Sequence, residues 1–106
     1  MECLAIFLNL CWSLLGVKMN YEDLIKEAKR YAEQNYLNKE KLGHDEELQL
    51  LSCGYSVLFL SACANKTMPE LGQAHEFIAK CFDKIGDKNY SSRHLKTASG
   101  YAKISK

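Results

Sequence analysis

From Tyr21 onward the apolar residues recur in steps of three and four. Tyr21, Leu24, Ile25, Ala28, Tyr31, Ala32 and Tyr36 share one face of a helix, and Lys26, Lys29, Arg30 and Glu33 fall largely on the other. That periodicity predicts an amphipathic helix over residues 20–37. Asn20 is a good N-cap, and Glu22 and Asp23 suit the positive end of the helix. Residues 38–43 (NKEKLG) predict a loop, with Gly43 suited to a turn. A second helix is expected to start near His44-Asp45, with Asp45 able to cap and Glu46 and Glu47 in the favourable first turn. Residues 48–64 (LQLLSCGYSVLFLSACA) carry no charge. A helix apolar on nearly every side belongs in the middle of a bundle, as its most buried element. Gln49, Ser52, Gly54, Ser56 and Ser61 dilute it too far for a bilayer span. Gly54 and the serines allow a neighbouring helix to come close.

Residues 65–69 (NKTMP) read as a loop. Thr67 can cap the next helix, Pro69 fits its first turn, and Glu70 stands three residues after Thr67 in capping-box spacing. Leu71, Ala74, Ile78, Cys81, Phe82 and Ile85 then share a face, and the helix should stop at Gly86. Asp87-Lys88-Asn89 turns the chain, and a last helix offers Tyr90, Leu95, Ala98, Tyr101 and Ala102 to the core. One proline and six glycines among 106 residues disfavour an all-β fold with many tight turns. The expected fold is all-α: one domain over residues 1–106, a compact four- to five-helix bundle around a buried central helix of about 45–64.

The fifth helix depends on residues 3–17, an apolar run broken only by Asn9 and Ser13. The run is too short for a membrane span. It also lacks the basic leader and small-residue cleavage site of a signal peptide. It reads either as an extra helix that must be covered by protein, by a second subunit in a homodimer through residues 3–17 or by a membrane surface, or as an over-long start ahead of Met19. An anchor is the less favoured third reading. Leu60-Ser61-Ala62-Cys63 mimics a lipobox, but it lies far from the start, so Cys63 is expected in the core. Cys3, Cys11, Cys53, Cys63 and Cys81 are odd in number and sit mostly among apolar residues. Free, buried thiols in a reducing, cytoplasmic setting are therefore expected, and not a disulfide framework.

Ala74, Ile78-Ala79, Phe82, Gly86-Asp87, Leu95 and Ala98 are spaced in a way that resembles a single tetratricopeptide-like helical hairpin over residues 74–102. The departures are His75 where a bulky aromatic is usual, Ser91 where alanine is usual, and no closing proline. No second copy stands upstream, although such repeats need stacking neighbours. The resemblance implies a peptide- or protein-binding surface and no catalysis.

Candidate chemistry is sparse. His44, His75 and His94 form no H-x-x-H or H-E-x-x-H, and no zinc-spaced partnership with cysteine. No glycine-rich phosphate loop appears. Surface carboxylates have basic neighbours at helical spacing, such as Glu22 with Lys26. No catalytic residue, metal or cofactor is expected. Net charge is only +1, but residues 88–106 hold Lys88, Arg93, Lys96, Lys103 and Lys106 with no acid. Tyr90, Arg93, His94, Lys96, Tyr101 and Lys103 form the candidate binding surface. The expected function is a small non-enzymatic, protein-binding module (an adaptor, regulator or inhibitor/immunity-type protein). The alternative is a nucleic-acid binder, with cations on phosphates and tyrosines on bases. Association with a membrane is not expected.

Overall fold

The computed structural model describes residues 20–64 and 66–104. The readings of residues 1–18 as extra helix, anchor or over-long start, and of residues 3–17 as a dimer contact, fall outside the described residues. The fold is all-α, with four helices and no strand among the described residues. They are α1 (Tyr21–Ala32), which continues into a π-helical turn (Glu33–Leu37), α2 (His44–Cys63), α3 (Met68–Lys84) and α4 (Lys88–Ile104). No described helix is long and apolar enough to cross a membrane.

The helix ends follow local chemistry. The Asn20 side chain accepts a hydrogen bond from the Asp23 amide at 2.8 Å, which satisfies one of the donors a helix start leaves free. At α2 the cap is Gly43 and not Asp45. The Glu46 carboxylate reaches back to accept from the Gly43 amide at 3.1 Å, so the first turn is held by a residue inside the helix. At α3 Thr67 is the N-cap, yet its hydroxyl donates to the Glu70 carboxylate at 2.9 Å and accepts from no backbone amide of the first turn. The stop at Gly86 is as the sequence predicts. Gly86 takes φ +86°, a conformation other residues rarely adopt. The Asp87 amide then bonds the Phe82 carbonyl at 2.9 Å and the Gly86 amide bonds the Asp83 carbonyl at 3.1 Å. That pair of bonds is a Schellman ending. Asp87 in turn caps α4 by accepting from the Tyr90 amide at 3.1 Å.

The helices pack in chain order, α1 on α2, α2 on α3 and α3 on α4, and the last contact is the most extensive. The core joins Leu24, Ile25, Ala28, Ala32 and Tyr36 to Leu50, Cys53, Val57 and Leu60, and then to Ala74, Phe77 and Cys81. The π-helical turn brings Tyr36 inward, where its hydroxyl donates to Gln49 at 2.5 Å. At Gly54 α2 and α3 come close together: a Cβ there would lie 3.0 Å from Ile78 Cγ1.

Burial departs from the sequence-based expectation in an instructive way. α2 is central, and Leu50, Cys53, Val57 and Leu60 are shut off from solvent. Its opposite face is open: Leu48, Tyr55 and Phe59 are 52%, 48% and 57% exposed, and Cys63, expected in the core, is exposed as well. Tyr21, Tyr90 and Leu95, each read from spacing as core-facing, are also exposed, as is Ala102. The reason is geometric. α2 has neighbours on one side and α4 packs chiefly against α3, so each has too few partners to cover a wide apolar face. Glu22 pairs with Lys66 across the fold in place of Lys26 on its own helix. Lys66 also reaches Glu70 at 3.2 Å.

Candidate functional site

α4 carries the residues the sequence singles out. Only Ser91 and Ala98 are fully buried on it, and their small side chains let the helix lie close to α3. Gly72 completes the contact, since a Cβ there would stand 3.4 Å from the Ala98 carbonyl oxygen. This close packing decides which candidates face inward.

His94 and Tyr101 face α3. His75 and His94 approach Nδ1 to Nδ1 at 2.9 Å, with ring centroids 5.1 Å apart and planes 27° from parallel. The centroid separation exceeds the nitrogen separation by about two ring radii, so the nitrogens point at each other. With both rings neutral, one Nδ1–H donates and the other Nδ1 accepts, so the two imidazoles are opposite tautomers. Burial pushes both imidazoles below their ordinary pKa, and the charge on His94 lowers His75 further. Tyr101 stacks on His75 at 5.6 Å. On the other side His94 lies nearly parallel to Phe82 at 5.6 Å and 9°, and Phe82 stacks with Tyr90 at 5.3 Å. Tyr55 of α2 meets Phe82 edge-on at 6.1 Å. An aromatic ladder thus runs from Tyr101 to Tyr90 across the α3–α4 seam.

Tyr90, Arg93, Lys96 and Lys103 are exposed. Arg93 lies over the Tyr90 ring at 5.3 Å, a cation–π contact. Lys96 and Lys103 are seven residues apart and share a helix face, with Arg93 one step of three before Lys96. The structure therefore divides the six candidates. His94 and Tyr101 hold α4 in place. Tyr90, Arg93, Lys96 and Lys103 form an outward, basic edge.

No local pattern signals that His75 and His94 meet, because they are nineteen residues apart on different helices. The only available hint was that both stand on the facing sides of a helical hairpin. Their nitrogens face each other and not a common third point, and among the described residues no group of three or more histidine, cysteine or acidic side chains converges. An open groove of about 460 Å³ lies between the π-helical turn and α3, among Glu33, Leu37, Lys80, Asp83 and Lys84. It mixes both charge signs on solvated side chains and sets no group against another for proton transfer. Cys81 is buried, and burial pushes its thiol up to about 12, which leaves it protonated and unreactive at neutral pH.

No family model, curated protein or solved structure matches this chain.

Proposed function

We propose that this chain is a small non-catalytic protein-binding module that offers the outer edge of α4 to an acidic segment of a partner protein. The observation that carries the reading is the composition of that edge: Arg93, Lys96 and Lys103 exposed, beside a half-exposed Tyr90, on a helix with no acidic residue. Regulator, adaptor and inhibitor roles all use such a surface.

Nucleic acid is the rival ligand, and the rings weigh against it. Binding single strands draws on free aromatic faces on which bases can stack. Tyr90 is already engaged by Phe82 and Arg93, and Tyr101 lies against His75. Arg93, Lys96 and Lys103 would release few counterions, and Lys88 of the same helix is paired with Asp83, so phosphate affinity would be weak and salt-sensitive.

Affinity capture from cells of the source organism tests the reading. The intact chain is expected to retain a protein that an Arg93→Glu/Lys96→Glu chain loses, with capture insensitive to nuclease. Tight binding of generic RNA or DNA that falls steeply with salt, and that disappears in the same variant, would replace this reading with the nucleic-acid one.

A further inference from the structure

We propose that the open face of α2 is a self-association surface, which pairs with the same face of a second copy of this chain in antiparallel orientation. Leu48, Ser52, Tyr55, Phe59 and Ala62 are all exposed. They follow one another in steps of four, three, four and three, the spacing of a helix-pairing seam. No charged residue occurs anywhere from 48 to 64.

The seam is ready to lose its water. Ser52 donates its hydroxyl proton to the Leu48 carbonyl at 2.9 Å, and Ser56 donates to the Ser52 carbonyl at 2.7 Å. Both hydroxyls are satisfied within the helix, so covering them strands no donor. The one side-chain polar group left on the face is the Tyr55 hydroxyl, which lies at the tip of a half-exposed ring and can stay at the wet rim of a contact.

Self-complementarity selects a second copy as the occupant. In the antiparallel register that sets Leu48 against Phe59 of the second copy, Tyr55 lies over Ser52 of the second copy. Large meets large where Leu48 faces Phe59, large meets small where Tyr55 faces Ser52, and Ala62 falls opposite Asp45 of the second copy at each outer end, where the carboxylate keeps its water. The two-fold axis then duplicates every contact, as a closed dimer requires. A seam without charge offers no electrostatic preference for a foreign partner and no like-charge repulsion against itself.

The area of the face is small. Leu48, Tyr55 and Phe59 are each about half exposed, so these anchors supply roughly 300 Å² of apolar surface per copy, taking about 150–250 Å² for each aromatic side chain. Such a patch is at the lower end of those that mark interaction sites, and smaller than the ~800 Å² per partner of a standard interface. A patch of this size points to a weak, reversible dimer that forms and dissociates with concentration.

Sedimentation velocity of the full chain, from low to high micromolar concentration, tests this. The expected result is a reversible rise from monomer to dimer mass. Phe59→Glu and, separately, Leu48→Lys should each raise the concentration needed for association at least tenfold. Both positions are solvent-facing, so helical circular dichroism should stay unchanged, and the two variants guard against a folding defect in either one. A full chain that stays monomeric throughout would overturn the proposal. So would a dimer indifferent to both substitutions. A monomeric chain that dimerises only after residues 1–18 are removed would show that the apolar N-terminal run occupies the face instead.

Discussion

Two helical glycines should respond to the same substitution with opposite sign. Alanine at Gly54 adds a Cβ 3.0 Å from Ile78 Cγ1 and 3.2 Å from Cys81 Sγ. Ile78 and Cys81 are both fully buried, so neither can swing into solvent, and α2 and α3 must part by a few tenths of an ångström. Replacing glycine in a helix interior gains ~1 kcal/mol of propensity, whereas forcing an extra group into a packed seam costs ~1–3 kcal/mol. The balance for Gly54→Ala is a net loss of about 1 kcal/mol, taking the middle of those ranges. At Gly100 a Cβ would meet nothing within 4 Å, and the gain of ~0.5–1 kcal/mol stands alone. For a domain of this size each kcal/mol moves the melting temperature by about 4–8 °C. Thermal and urea melts followed by circular dichroism should therefore place Gly54→Ala below the parent protein and Gly100→Ala above it, with unchanged urea m-values. Equal stabilisation by both would refute the close approach of α2 and α3, and with it the account of why a glycine stands at 54.

Leu50 of α2 is fully buried in the core, and Leu50→Ala should cost ~2–5 kcal/mol in urea melts, whereas Leu48→Ala on the open face should cost far less. Stability should decline as pH falls below the ordinary histidine value of 6.5, because the unfolded chain takes up protons that His75 and His94, with lowered pKa values, still refuse. The loss is complete once pH has passed below the folded values, and melting curves of a His94→Asn chain should show a shallower slope across that window. Cys81, with its thiol near 12, should resist iodoacetamide at pH 8 in the native state, while exposed Cys63 is modified. Mass spectrometry of peptides after timed alkylation reads the difference, and rapid native labelling of Cys81 would contradict its burial.

Local chemistry was legible along most of the chain. Asn20, the loop at 38–43, the stop at Gly86 and the turn at Asp87 act through neighbours within a few residues, and the fold places each where its side chain and backbone preferences require. Asp45 illustrates the limit of that reading: a good cap in isolation, it gives way to Gly43 because Glu46 can close the first turn from inside. The pairing of Glu22 with Lys66 was invisible for a different reason, since forty-four residues of chain separate the two.

The sequence by itself determined the four described helices, through the spacing of apolar residues, and most of their ends, through caps and turn residues, because those preferences are properties of a single helix and its neighbours in the chain. It could not determine how many neighbours each helix would find. Only the packing of α1, α2, α3 and α4 in chain order decided that α2 would be covered on one side and bare on the other. It likewise decided that α4 would spend His94 and Tyr101 on α3 and leave Arg93, Lys96 and Lys103 facing outward. The burial of a side chain depends on what lies across from it, and that neighbour is supplied by residues far away along the chain.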